Sequence, residues 1–217
     1  MAGKLNTNPW LKMWVKPRET IREIIQVDPK YHIYLLSGIY GFATLLHFSQ
    51  NFSLGAYLPW GAVLLGSLVF SVFIGLIGFG IAGKLIEWTG RLLGGKGSFQ
   101  QIRAALAWSN VTNIVSILMW LLLVASFRGA VFLESFAEST FVGSALAVVL
   151  LAFLVQAVAS VWGFVILVKS IGEVQGFSAW KGLLNVVIVF ILVAIIVWIL
   201  AWIFWWSQGS TQLGIVQ

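Results

Sequence analysis

Five long apolar runs constrain the fold of this chain more than any other feature of its sequence. A helix needs about 20 apolar residues to cross the roughly 30 Å hydrocarbon core of a bilayer. The predicted spans are residues 33–51, 58–83, 104–127, 140–168 and 182–206. These runs lack the alternation of a transmembrane β-strand and exceed its usual length of about 10 residues. The sequence therefore predicts an all-α membrane bundle of five transmembrane helices.

The composition excludes several functional classes. Charged residues make up only 9% of the chain, whereas hydrophobic residues make up 60%. A soluble domain has about a quarter charged residues, so this chain has too few to cover a water-facing surface of its size. This argues against a soluble enzyme, a disordered protein and a nucleic-acid-binding domain, despite the net charge of +6. The lipid bilayer is the expected partner of most of the chain.

The distribution of basic residues predicts the orientation in the membrane. Twelve of the 13 lysines and arginines fall in the N-terminal segment and in the second and fourth loops, and only Arg128 falls in the third loop. Cytoplasmic segments of membrane proteins are enriched in such residues. We therefore expect a cytoplasmic segment over residues 1–30, a five-span membrane domain over residues 31–206 and a short outer tail over residues 207–217.

The N-terminal segment has the pattern of amphipathic helices. Trp10, Leu11, Trp14 and Val15 share one helical face, and a group of isoleucines repeats the pattern after Pro17. Such a face, with cations elsewhere on the helix, is typical of a helix lying in the membrane interface. It is also compatible with packing against the cytoplasmic ends of the spans, and the pattern does not separate these interpretations.

The expected binding surface for protein partners or lipids is the basic cytoplasmic face. Two ion pairs at i, i+4 spacing are predicted there, Glu87 with Arg91 and Lys169 with Glu173. Ser98 and Gln101 form a capping-box pattern at the start of the next helix. The candidate residues of this face are Trp10, Lys12, Trp14, Lys16, Arg18, Arg22, Lys84, Arg91, Lys96 and Arg103.

A partial phosphate-binding motif occurs on the same face. Gly90, Gly95 and Lys96 match the glycine and lysine positions of a nucleotide-binding loop. The next residue is Gly97 rather than serine or threonine, and no β-strand precedes the motif, as the phosphate-binding fold requires. We therefore predict a basic turn at the membrane surface and no nucleotide.

Four polar residues are predicted inside the membrane, namely Asn110, Asn113, Gln156 and Asn185. Asn113 and Gln156 lie at comparable depth, so their amides are positioned to hydrogen-bond to each other. Intramembrane polar groups connect helices or contact a substrate, and both interpretations stay open. The absence of acidic and basic residues deep in the spans argues against a proton relay or a voltage sensor.

Small residues mark the expected packing faces of the first two spans. Ser67, Ser71 and Gly75 follow one another at four-residue spacing, as do Ser37 and Gly41. This spacing lets helix backbones approach closely. It suits packing within the chain and formation of a homo-oligomer equally well.

The chain offers little catalytic chemistry. Cysteine is absent, and the two histidines, His32 and His47, bracket one span from opposite sides of the membrane, so they are not expected to share a metal ion. No nucleophile motif or metalloprotease motif is present. We predict no enzyme activity, no metal and no cofactor.

Three segments resemble the bacterial branch of the Yip family, the Ypt/Rab-interacting membrane proteins. They are Asn8-Pro9-Trp10 with residues 16–22, residues 97–110 and residues 171–181. The resemblance implies five spans, a cytoplasmic N-terminus, residence in the bacterial inner membrane and a membrane-organising role. This chain has Thr112 where relatives often have proline, which leaves open whether the third helix is broken near Asn110.

Two functions follow as expectations. The first is a non-enzymatic membrane organiser or adaptor that binds protein partners or lipids through its basic cytoplasmic face. The alternative is a small transporter or channel for a neutral or lipidic solute, with a path lined by Asn110, Asn113 and Gln156.

Overall fold

The computed structural model describes residues 5, 8–133, 135–136 and 143–213, with side chains described up to Trp206, and it contains no strand in those residues. The helices given in full are α1 (Pro9–Val15), α2 (Pro17–Val27), α3 (Ile33–Asn51), α4 (Trp60–Leu92), α5 (Phe99–Ser109), α6 (Asn113–Phe127), α7 (Ser144–Gln175) and α8 (Ala179–Leu213). Residues 1–4, 6–7, 140–142 and 214–217, which the predicted segments include, lie outside the described residues.

The chain is an all-helical, multi-pass membrane protein. Four segments of the described chain are long and apolar enough to cross a bilayer: Trp60–Leu92, Phe99–Phe132, Ser144–Gln175 and Ala179–Trp206. Helix α3 occupies the range 33–51 expected of the first span. It is not among the four because polar side chains, above all those of His47, Gln50 and Asn51, lower its mean hydropathy.

Helices α3 and α4 cross at small residues. A Cβ atom at Gly41 would overlap the backbone of Ser71, and one at Gly75 would overlap the backbone of Ser37. Ser37 and Ser71 are themselves buried. The stripe of small residues therefore packs one part of this chain against another.

The third apolar segment is broken. Helix α5 ends at Ser109, a single 3₁₀ turn covers Asn110–Thr112, and α6 begins at Asn113. The Asn110 amide donates to the carbonyl of Leu106 at 2.8 Å, which satisfies a carbonyl near the end of α5 and favours the tighter turn. Thr112 packs against Gly163 of α7, so the interruption forms here without proline.

Three helices continue past the predicted ends of their spans. Helix α4 runs to Leu92 rather than residue 83, α7 runs to Gln175 rather than residue 168, and α8 enters the expected tail. The ends of α4 and α7 come just before Gly94 and Gly176, whose φ angles of 82° and 73° suit glycine. Glycine turns, rather than the last apolar residue, set these two ends.

Two apolar clusters of described residues fill the bundle at different heights. One joins α1, α2, α5 and the neighbouring ends of α3, α4, α7 and α8, and it includes Trp108 and Ile171. The other joins α3, α4, α6, α7 and the 3₁₀ helix Arg128–Phe132, and it includes Trp120.

The N-terminal helices divide their apolar residues between the core and the surface. Pro9 begins α1 and the Asn8 side chain accepts a hydrogen bond from the Trp10 backbone at 3.0 Å. Met13 is fully buried, as are Ile21 and Ile24 of α2. On the predicted apolar face of α1, Leu11 and Val15 are 72% and 76% exposed, whereas Trp10 and Trp14 pack against the apolar core. The buried side of α1 is centred on Met13.

Candidate functional site

Three segments that are far apart in sequence meet at one end of the bundle. We call this surface, formed by α1 and α2 with residues 84–103 and 169–181, the basic end. The Arg22 Nε donates to Glu173 Oε1 at 2.7 Å, and Arg18 donates to the Phe177 carbonyl at 3.4 Å. The Glu173 hydrogen bond and charge raise the pKa of Arg22 above its ordinary value. The predicted pair of Lys169 and Glu173 is wrong, because Glu173 pairs with Arg22 from α2.

Gln175 fixes the connection between α4 and α5 to the end of α7. Its side chain is 1% exposed, its Nε2 donates to the Ile86 carbonyl at 3.2 Å, and its Oε1 accepts from the Gly97 backbone at 3.1 Å. A Cβ atom at Gly90 would overlap the Gln175 amide. Gly90 of the partial nucleotide motif is therefore a packing residue within α4.

Asn185 lies beside this amide. It is fully buried, and its Nδ2 donates to the same Ile86 carbonyl at 3.4 Å. Its Oδ1 has no hydrogen-bond partner in the part of the chain that the structure describes. Of the four predicted intramembrane polar residues, Asn185 is thus the one that contacts the basic end.

Several predicted site cations are held in ion pairs. Lys12 lies 3.8 Å from Glu19 and 3.7 Å from Glu23, and Lys16 lies 3.6 Å from Glu19. On α4, Glu87 accepts from Lys84 at 3.0 Å and from Arg91 at 2.8 Å. The predicted pair of Glu87 and Arg91 is thereby confirmed. These cations connect helices or adjacent turns, so part of the positive charge is used in the fold.

Other cations of the basic end have no carboxylate partner among the described residues. Lys96 and Lys169 are exposed, and Lys181 lies over the Phe177 ring at 4.8 Å. Arg103 lies 5.5 Å from the Phe99 ring centroid. The ranges 8–30, 84–103 and 169–181 together hold eleven basic and five acidic residues. The surface is therefore net positive after its internal pairs are formed.

The two predicted tryptophans are packing residues. Trp10 meets the buried Trp108 edge to face, with ring centroids 5.1 Å apart. The Trp14 backbone carbonyl accepts from the Trp162 indole at 3.1 Å, which attaches α1 to α7. Both residues hold α1 against the bundle.

The remaining polar residues do not assemble as predicted. The Asn113 amide donates to Asn110 Oδ1 at 3.1 Å, whereas the Gln156 Oε1 accepts from Ser116 at 3.0 Å. The predicted hydrogen bond between Asn113 and Gln156 is therefore wrong.

Within the described residues, no group of three histidine, cysteine, aspartate or glutamate residues is arranged to hold a metal ion.

Sequence reasoning did not identify Gln175 as a site residue. The available signal was the group of glycines at positions 90, 95 and 97, in and beside the segment predicted as a basic turn. Glycines also occur where another group approaches the backbone closely, and here that group is the Gln175 amide.

Comparison with known proteins agrees with the architecture. The Yip1 domain model matches residues 11–207. No curated protein matches the chain, and no solved structure matches it either. The matched range covers all the helices from α2 to α7 and most of α1 and α8. The chain therefore belongs to the Yip1 domain family.

Proposed function

We propose that the protein is a non-enzymatic organiser or adaptor of the bacterial inner membrane, and that it binds protein partners or anionic lipids through its basic end. The observation that carries this proposal is the division of the cations at that end. Lys12, Lys16, Arg22, Lys84 and Arg91 pair with carboxylates of the fold. The cations left without carboxylates, among the described residues, are available to a phosphate or carboxylate of a partner.

Five spans complete the proposed topology, with α3 as the first. At 1.5 Å per residue, its 19 residues extend about 28 Å, close to the thickness of the hydrocarbon core. The hydroxyls of Thr44 and Ser49 donate to carbonyls of their own helix at 2.8 Å, so they need no water. The close packing of α3 along α4 supports the same placement.

The basic end faces the cytoplasm in this proposal, and the chain ends on the outer side. The excess of basic residues at this end supports that orientation. Exposed Trp88 and Trp180 at the same end suit the membrane interface, as do the exposed Leu11 and Val15 of α1. Helix α1 would then lie in the interface, with Met13 toward the bundle and Leu11 toward lipid.

The lipid-binding part of the proposal is tested by neutralising the unpaired lysines. We expect the triple variant Lys96→Gln, Lys169→Gln and Lys181→Gln to retain less phosphatidylglycerol in native mass spectrometry of the purified protein. Each basic residue near an anionic surface contributes about 1 kcal/mol. Each lysine removed should therefore lower the retention of phosphatidylglycerol by roughly fivefold. The protein-partner part is tested by crosslinking in membranes with the same variant.

Arg128→Gln is the matched control, because Arg128 lies on the loop between α6 and α7, away from the basic end. It removes one positive charge and leaves the unpaired lysines intact. Equal phosphatidylglycerol retention and equal crosslinks in the wild type and the folded triple variant would refute the proposal. Variants of the paired cations are less informative, since they also break contacts between helices.

The orientation is tested separately with a fluorescent reporter that folds only in the cytoplasm. A reporter fused after Gln217 is expected to stay dark, and one fused before Met1 is expected to fluoresce. A fluorescent C-terminal fusion would contradict the five-span topology.

A further inference from the structure

A cavity of about 340 Å³ lies between α3, α6 and α7, at the end of the bundle opposite the basic end. Its polar wall consists of His47, Gln50, Trp120, Gln156 and Ser160, and the rest of its wall is apolar. Among the described residues, no aspartate, glutamate, lysine or arginine lines it. The volume is within the usual range of small-molecule sites, about 300 to 1,000 Å³.

His47 presents one hydrogen-bond donor from this wall. The Trp120 indole N–H donates to His47 Nε2 at 3.3 Å. Because an indole N–H only donates, Nε2 carries no proton, and the neutral ring has its proton on Nδ1. Trp120 is 1% exposed and stacks on Phe132 at a centroid distance of 5.8 Å, so the rings keep this arrangement.

Gln156 presents a second donor. Ser116 donates to its Oε1 at 3.0 Å, which turns the amide oxygen toward α6. Neither Nε2 of Gln156 nor Nδ1 of His47 has a hydrogen-bond partner among the described residues. Gln156 is twelve residues into α7, about 18 Å along the helix and near the middle of the hydrocarbon core. A donor without an acceptor costs free energy at this depth.

The cavity adjoins both lipid and the polar end of α3. Phe153, which lines it, is 66% exposed on the apolar surface of α7. A second cavity of about 570 Å³, lined by Asn51, Ser53 and Tyr57, shares Gln50 and Phe136 with the first. An amphiphile can therefore place a polar group near Asn51 and a carbonyl oxygen beside Gln156.

We propose that this cavity binds an uncharged lipid with ester carbonyl oxygens, of the diacylglycerol type. His47 Nδ1–H and the Gln156 NH₂ group donate to one ester, and the apolar wall holds an acyl chain. The described lining has donors for carbonyl oxygens and no cation for a phosphate, which selects an uncharged lipid. This site is independent of the basic end, so it holds whether or not the basic end binds a partner.

The test uses the full-length protein in phosphatidylcholine nanodiscs with a diacylglycerol that carries a photoactivatable diazirine on one acyl chain. We expect the label to map by mass spectrometry to α6 and α7 around Trp120 and Gln156. Loss of one hydrogen bond in Gln156→Leu is expected to lower this label by roughly fivefold. Asn113→Leu is the matched control, because it also removes an intramembrane amide but does not line the cavity; its labelling should equal that of the wild type.

Ala157→Phe gives a second variant that keeps both donors and fills the cavity, so it decides the question if Gln156→Leu does not fold. We expect it to reduce the label at the cavity and to leave the thermal unfolding temperature unchanged. The proposal is overturned if label spreads evenly over the lipid-facing surface, if folded Gln156→Leu and Ala157→Phe label like the wild type, or if diazirine phosphatidylglycerol labels the cavity equally well.

Discussion

Replacement of Gln175 by alanine removes the side chain that connects α7 to the segment between α4 and α5. The buried amide donates to the Ile86 carbonyl and accepts from the Gly97 N–H, at 3.2 and 3.1 Å. After the substitution, Ile86 still accepts from Asn185 at 3.4 Å. The N–H of Gly97 has no other acceptor in the described chain, and Gly97 is buried.

The expected loss of stability follows from these two bonds. A buried N–H without an acceptor costs about 1 to 3 kcal/mol, and the bond to Ile86 contributes about 1 kcal/mol. The total is about 2 to 4 kcal/mol. For a chain of this size, 1 kcal/mol corresponds to a shift of about 2 to 4 °C in the unfolding temperature. We therefore expect Gln175→Ala to unfold about 4 to 16 °C below the wild type.

The same contact predicts a coupling between two substitutions. Gly90→Ala should be destabilising in the wild type, because the new Cβ atom would overlap the Gln175 amide. In the Gln175→Ala background the amide is gone, and only the Asn185 side chain remains within 2.7 Å of that Cβ position. The cost of Gly90→Ala should therefore be smaller in the double variant, as expected of residues in direct contact.

The assay is thermal unfolding of the purified protein in detergent at one fixed scan rate, followed by tryptophan fluorescence. Gln100→Ala is the control, because Gln100 is an exposed glutamine on α5; its unfolding temperature should match that of the wild type. Additive effects of Gly90→Ala and Gln175→Ala, within about 0.5 kcal/mol, would refute the proposed packing. A Gln175→Ala variant as stable as the control would refute the role of the hydrogen bonds.

Further variants test other parts of the fold, the first two by size-exclusion chromatography and the others by the same unfolding measurement. Gly75→Val should prevent the close approach to Ser37 and abolish the monodisperse peak in size-exclusion chromatography, whereas Gly66→Ala, at a position with open space, should leave the peak unchanged. Ser98→Ala removes the capping box and should lower the free energy of unfolding by about 1 kcal/mol. Ser98→Val should also be less stable than the wild type. The exposed pair of Arg22 and Glu173 should show a coupling below about 1 kcal/mol that falls further at high salt.

Much of the membrane architecture was predictable because it depends on residue size and hydropathy along the chain. The apolar runs predicted helices. The small residues at positions 37, 41, 71 and 75 predicted close helix packing, but only the structure shows that it lies between α3 and α4 of one chain. The ends of the helices were less predictable. Hydropathy reports where lipid contact ends, whereas α4 and α7 continue until Gly94 and Gly176 allow a turn.

The break in the third helix shows a second limit. Residues 110–113 were recognised as a polar cluster, but whether the helix continued through them depended on local competition for carbonyls. The Asn110 side chain donates to the Leu106 carbonyl, and the Asn113 amide then donates to Asn110. Asparagine can make such bonds in a helix or in a turn, so spacing alone did not select the structure.

Charge could be assigned to one surface from the sequence, but its pairing between helices could not. Arg22 and Glu173 are 151 residues apart, whereas the predicted partner of Glu173, Lys169, is one helical turn away. Local spacing favours the i, i+4 pair by only a few tenths of a kcal/mol. The packing of α2 against α7 brings a guanidinium to 2.7 Å from the same carboxylate, and this tertiary contact outweighs the local preference.

This pairing determines which cations can contribute to binding. A partner that approaches Lys12 or Arg22 must displace a carboxylate already in place, so the gain in attraction is offset by the loss of an internal ion pair. A partner that approaches Lys96 or Lys169 displaces only water, because neither lysine has a carboxylate partner in the described residues. Binding free energy should therefore concentrate on these unpaired lysines, although the positive-inside pattern counts all the cations alike.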